Sequence, residues 1–200
     1  GSLSSLVLNL GSHKSLPYDP VKDFVPVSVY FSTPLYLVVH PSVPARTVPE
    51  LIAHLKANPG KLSYGSIGTG SSLHLTAEMF CKMAGVDALH VPYKGSVPAV
   101  TDLISGQIQF MFDAGTSSLP HVKAGKLRVL ASTGARRSEG TPDIPSMAES
   151  GLPGFDASFW FGIVAPAGTP APVVDRLSRE IGEIARLPSM REKFLPAGVE

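Results

Sequence analysis

Residues 65–72 read Gly-Ser-Ile-Gly-Thr-Gly-Ser-Ser and concentrate most of the chemistry this sequence offers. Three glycines let a backbone come close to a bound group. Ser66, Thr69, Ser71 and Ser72 add hydroxyls, and Gly68 and Gly70 add bare N–H groups. An apolar pattern of helical period begins at Leu73, so the positive end of a helix dipole stands behind the loop. That combination suits a carboxylate, phosphate or sulfate. The same residues also read as a plain glycine loop with a serine N-cap. No lysine is present, so the loop is not a Walker A motif. Leu73 stands where a dinucleotide fingerprint needs its third glycine. The Gly-x-Ser-x-Gly nucleophile elbow is absent too.

Other candidates are single residues. Asp113 follows an apolar run and precedes Ala114-Gly115. It can accept from a ligand amine or from loop N–H groups, or it can cap the turn at Ser117-Ser118. His74 lies in the first helical turn, where it can line a pocket or pack against a loop. Tyr93-Lys94-Gly95 can bring a phenol or an ammonium to an anion, or leave the lysine solvated. Trp160, between Phe159 and Phe161, reads as buried or as a ligand wall. His40, His54, His90 and His121 are scattered, with no metal-ligand spacing. No Ser-His-Asp or Cys-His pairing is suggested by position, and hydroxyl-rich loops without a base point to binding.

The elements that must position these residues are read from punctuation and period. Strands are expected at 25–31 and 35–40, broken near Thr33-Pro34. Thr47-Val48-Pro49-Glu50 starts a helix that stops at Asn58-Pro59-Gly60. Helices are then expected at 73–84, 98–105 and 117–124, each closed by a glycine. They alternate with strands at 62–66, 88–91, 108–112 and 127–132. Such alternation predicts a parallel sheet with right-handed crossovers and helices on both faces. Ligands of doubly wound sheets bind beyond the carboxyl ends of the strands, which selects the loops after Ser66, Val91, Phe112 and Ser132. A short helical piece is expected near 146–150, a strand at 159–165 and an amphipathic helix at 172–186. The run at 3–10 fits a strand or a helix.

Composition narrows the class. Hydrophobic residues are 44% and charged residues 16% of the 200, enough apolar material for a packed core. The 19 glycines and 19 prolines fall mostly at element boundaries, which disfavours disorder. A formal net charge of +1 implies no basic field, so nucleic acid is not an expected partner. The single cysteine, Cys81, forms no internal disulfide framework or Cys-based zinc site. No apolar run reaches the roughly 18 residues that span a membrane. Gly1-Ser2 has the look of a scar from tag cleavage, which leaves the native N-terminus and any signal peptide outside this chain.

Five segments, taken in order, resemble a known family. They are 16–24 (Leu-Pro-Tyr-Asp-Pro-Val-Lys-Asp-Phe), 59–66 (Pro-Gly-Lys-Leu-Ser-Tyr-Gly-Ser), 91–95 (Val-Pro-Tyr-Lys-Gly), 125–131 (Gly-Lys-Leu-Arg-Val-Leu-Ala) and 165–170 (Ala-Pro-Ala-Gly-Thr-Pro). The set closely resembles the Bug receptors, the substrate-binding proteins of tripartite tricarboxylate transporters. The resemblance implies a two-lobed α/β fold of the periplasmic-binding-protein type (type II), with a small carboxylate held between lobes that close about a hinge. It implies a monomeric periplasmic binder and not an enzyme, with no metal or cofactor, which delivers its ligand to integral membrane subunits. The matched site residues are Ser66, Gly70, Ser71, Ser72 and Asp113. Gly68 shapes the same loop, and Thr69, His74 and Tyr93 match less closely.

The chain departs from that pattern at its ends. The family carries about a lobe's worth of sequence before the Leu-Pro-Tyr-Asp-Pro motif, and residues 1–14 fit it poorly. The expectation is therefore a truncated chain, with a complete second lobe at 34–157 and a partial first lobe from 1–33 and 158–200. The interlobe connections are expected near Ser32-Thr33 and near 156–158. Weak carboxylate binding is expected of such a chain, since half the clamp would be missing. Two rival readings are an enzyme on a similar scaffold, with Asp113 or His74 as base, and a carboxylate sensor lobe.

Overall fold

The fold is organised around one long strand. In a computed structural model that describes residues 1–12 and 14–199, residues 24–39 form a continuous 16-residue strand, β1 (Phe24–Val39). The expected break at Thr33-Pro34 does not occur. Proline cannot donate to a ladder, but Pro34 stands at a change of partners. It is the last β1 residue opposite β6 (Ser158–Pro166), and Leu35 is the first opposite β4 (Phe110–Ala114).

The two halves of β1 have different surroundings. The first half pairs antiparallel with β6 along Phe24–Pro34, with two register shifts. The second half, Leu35 to Val39, is buried on both faces and sits inside a sheet of order β3-β2-β4-β1-β5. The other members are β2 (Ser63–Ser66), β3 (Leu89–Pro92) and β5 (Arg128–Ser132). β2 runs parallel to β3 and to β4, whereas β1 runs antiparallel to β4 and β5. The expected all-parallel sheet is thus a mixed one. Alternation along the chain gave the common direction of β2 to β5, but not that an earlier strand slots between two of them. The uninterrupted apolar run at 35–39 has the composition of a strand covered on both faces.

Helices occupy the crossovers: α2 (Val48–Ala57), α3 (Ser72–Ala84), α4 (Ser96–Ile104) and α5 (Gly115–Lys123). Thr47 caps α2 by accepting the Glu50 N–H, with Pro49 in the first turn. A π-helical turn (Ser4–Leu8) leads into α1 (Asn9–Ser12) ahead of β1. After β6 come α6 (Ala171–Ala185) and α7 (Pro188–Phe194), the latter not foreseen from sequence. Residues 146–150 form a turn in place of the expected helical piece. Ser146 bridges to Ser132 there, and Met147 donates to the Ser132 carbonyl at 2.8 Å. Among the described residues, no helix is long and apolar enough to cross a membrane.

Every residue of the main buried core falls between Leu35 and Phe155. Phe80 packs edge-on against Phe110 and Phe112, which places α3 over the sheet. Thr133 ties this body to β6. Its N–H donates to the Leu35 carbonyl at 2.8 Å, and its hydroxyl accepts from the Leu35 N–H at 2.8 Å. The same hydroxyl donates to the Ala157 carbonyl at 2.7 Å. Thr133→Val keeps the shape and leaves two buried backbone groups unpaired. We expect it to lower unfolding stability by about 2 kcal/mol in urea titration. An unchanged midpoint would mean that water replaces the hydroxyl.

Candidate functional site

The loop after β2 is built to approach something closely. Gly65 is its base, where a Cβ would lie 2.5 Å from the Ile108 side chain. Gly68 and Gly70 hold φ of +124° and +79°, a region that favours glycine. The loop then satisfies much of itself. The Ser66 hydroxyl lies 2.7 Å from His90 Nε2 and accepts the Gly68 N–H at 3.1 Å. Ser71 caps α3 by accepting from the His74 N–H at 3.3 Å, and its hydroxyl donates to the Gly68 carbonyl at 2.7 Å. The Gly70 N–H donates to His74 Nδ1 at 3.1 Å. Thr69 is exposed at the tip.

Ser72 is the exception. It opens α3, is buried, and its Oγ has no hydrogen-bond partner. It lines a cavity of about 160 Å³ whose other walls include Leu35, Leu75, Met79 and Phe159. Helix geometry leaves the Ser72 and Leu73 N–H groups without intrahelical acceptors. Donors and a hydroxyl therefore converge where the helix dipole favours negative charge.

Asp113 lies at the carboxyl end of β4, the strand beside β2, and is fully buried. Its Oδ2 accepts from the Ser117 hydroxyl, while Oδ1 has no partner. Burial pushes its carboxyl above the usual range, and the Ser117 and Ser96 hydroxyls partly offset this. Asp113 thus bonds the Ser117 hydroxyl in the first turn of α5, as the capping alternative expects, although the N-cap position itself is Ala114. Ser72 Oγ and Asp113 Oδ1 are the two buried side-chain polar atoms left unpaired among the described residues.

Tyr93 points elsewhere. Its phenol donates to Asp102 on α4 at 2.8 Å, and burial, followed by Asp102, pushes its pKa up to about 12. Its backbone joins the loop by donating to the Ser66 carbonyl at 2.9 Å, and its ring lies against Gly65. His90 was not singled out by sequence. The β2–β3 register sets it beside Tyr64, with ring centroids 5.1 Å apart, and α3 brings His74 to 4.0 Å from it. Burial, then His74, lowers its pKa. Glu78 lies 3.9 Å from His74 Nε2 and accepts from the Tyr64 hydroxyl. A 24-residue gap between Ser66 and His90 carries no local signal of this pairing.

The Ser66–His90 contact has the look of half a catalytic dyad. Ser66 is fully buried, however, and no carboxylate hydrogen-bonds His90 among the described residues. Asp113 has hydroxyls around it and no second titratable partner within bonding distance. No three His, Cys, Asp or Glu side chains converge as a metal site among the described residues. The arrangement can receive an anion and a hydrogen-bond donor, and the serine beside His90 is buried. One prediction concerns pH. A folded-state pKa raised above 3.8 means that ionising Asp113 destabilises the fold as pH rises above that value. Asp113→Asn should raise the urea midpoint at pH 7, with the gain fading as pH falls toward 4. A gain independent of pH would point to packing instead.

Comparisons with known proteins converge. The family model described as "Tripartite tricarboxylate transporter family receptor" matches residues 5–200. A protein of Pseudomonas sp. (strain P51), named for the tcbD-tcbE intergenic region, is 38% identical over 198 residues, which are 98% of this chain and 59% of that one. Protein BugT of Bordetella pertussis is 37% identical over 197 residues, 98% of this chain and 60% of that one. The chain thus spans about three fifths of the curated relatives it matches. Among solved structures, Rpa4515 of Rhodopseudomonas palustris with adipate superposes with a TM-score of 0.92 at 36% identity, covering 100% of this chain and 67% of that one.

Proposed function

Because this chain belongs to the tripartite tricarboxylate transporter receptor family, we propose that it acts in an extracytoplasmic solute-binding protein. That protein would capture a small organic carboxylate and present it to the transporter's membrane subunits. The observation that carries the reading is the pair of unpaired buried atoms, Ser72 Oγ at the start of the helix that follows β2 and Asp113 Oδ1 at the carboxyl end of the adjoining strand β4. Buried polar groups are ordinarily satisfied, so two exceptions at one edge of a sheet mark a place that a ligand completes. The carboxylate sits at the start of α3, on Ser72 and the first free N–H groups. Asp113 takes a donor from the ligand, such as an ammonium or hydroxyl, or shares a proton with it.

Ser66, Gly68, Gly70 and Ser71 act by shaping the loop, because their polar groups are engaged within it. Thr69 is free to touch a ligand arriving from the open side. Residues 34–157 form one lobe, and 1–33 with 158–200 contribute to the other. The interlobe connections are read near Ser32-Thr33 and near 156–158, and the antiparallel pairing of Pro34 with Ser158 beside them supports hinge closure there. Binding the carboxylate by neutral dipoles lets that group leave without breaking an ion pair of its own. The protein works as a monomer in the periplasm and performs no chemistry on its cargo. The relative with adipate supports a dicarboxylate-sized ligand.

The test is titration with adipate, and with neutral adipamide as control, followed through the Ser72 and Leu73 amide resonances. Saturable shifts with adipate alone are expected. Ser72→Ala should weaken them about tenfold while leaving thermal stability unchanged or slightly raised, since it removes an unpaired hydroxyl. Equal response to adipamide would overturn the anion reading.

A further inference from the structure

We propose that His90, with His74, is a positioning residue pair that clamps the 66–71 loop at both ends and so directs the first turn of α3 to the ligand. The proposal rests on the carboxylate reading above and assigns a role to a histidine that touches no ligand. It starts from a count of hydrogen-bonding capacity. The Ser66 hydroxyl has one proton and two lone pairs. Its neighbours are His90 Nε2 at 2.7 Å, the Gly68 N–H at 3.1 Å and the Gly68 carbonyl at 3.2 Å. If Nε2 accepts, Ser66 donates to it. If Nε2 carries the proton, His90 donates and Ser66 turns its own proton to Gly68. In both tautomers the hydroxyl is held on the Gly68 turn and away from the ligand.

The other end is held by the same group of rings. His74 Nδ1 accepts the Gly70 N–H, so its proton resides on Nε2, the nitrogen that faces Glu78. The two rings lie 4.0 Å apart, and His90 stacks on Tyr64, whose hydroxyl is fixed by Glu78. The clamp is therefore anchored on β2, β3 and α3 together. A glycine loop free at both ends would have to be ordered by the ligand, at the ligand's expense in affinity.

The rings also explain why this loop turns its polar groups inward. Without His90, the Ser66 hydroxyl keeps its contacts to Gly68 within the loop and loses its anchor on β3. Without His74, the Gly70 N–H becomes a second anion donor in competition with the Ser72 site.

Two variants separate ring packing from hydrogen bonding. His90→Phe keeps a ring on Tyr64 and removes the bond. His90→Gln restores a polar group near the reach of Nε2. In the ligand-free chain, His90→Phe should shift the Gly68 amide resonance and speed its hydrogen exchange about fivefold to tenfold, as for the loss of one hydrogen bond. Adipate affinity should fall by a similar factor, and His90→Gln should recover most of both. Unchanged Gly68 exchange in His90→Phe, or no recovery in His90→Gln, overturns the proposal. A loosened loop in a chain whose wild type binds no adipate would overturn the carboxylate reading and keep the clamp. Ring-nitrogen resonances of the wild-type chain give a test that needs no variant. His74 should carry its proton on Nε2, and a proton on Nδ1 overturns the clamp at Gly70.

Discussion

The second half of β1 is the constraint on which the structure depends. Leu35 to Val39 are covered above and below and flanked by β4 and β5, so no water reaches their backbone. Every N–H and carbonyl there must find a protein partner. The sheet supplies most of them. At the start of the run, where the chain leaves β6 and the ladder is incomplete, the Thr133 hydroxyl stands in. That one side chain closes the sheet on β1 and also holds the Ala157 carbonyl, so the start of β6 is fixed by the same hydroxyl that completes β1.

This arrangement fixes where a ligand can be met. β2 and β4 are adjacent and parallel, so their carboxyl ends open on the same edge. The loop from β2 and the Asp113 side chain from β4 are brought to that edge by the pairing of Tyr64 with Phe110 and of Gly65 with Met111. The loop resolves its own polar groups, and α3 and β4 each leave one group unresolved. Under the proposed reading, this edge is divided between groups that keep the loop's shape and groups that a ligand would complete.

Much of this was legible in the residues. Thr47, Ser71 and Gly85 mark helix ends because each offers a specific partner or backbone angle, and the structure uses them so. The anion loop is visible for the same local reason. What was not legible is pairing across distance. The position of β1 between β4 and β5 is decided by which edge buries the most apolar surface, and order along the chain does not encode that. The continuity of β1 through Pro34 depends on Thr133, almost a hundred residues away. His90 was lost among scattered histidines because its meaning comes from the β2–β3 register. The inward engagement of Ser66 and Ser71 was equally out of reach, since sequence gives hydroxyls but not their directions.

The change of partners along β1 has a mechanical consequence. Side chains alternate faces along a strand, so a slip of one residue against β6 exchanges inner for outer positions over the whole paired length. β1 passes without interruption from that ladder into the central sheet, so a slip that no bulge absorbs would also offset Leu35 to Val39 from their partners on β4 and β5. The two ladders therefore proofread each other. An error tolerable in a two-stranded ribbon alone is rejected by the core at the far end of the same strand. A single uninterrupted backbone acts as a shared ruler for both ladders.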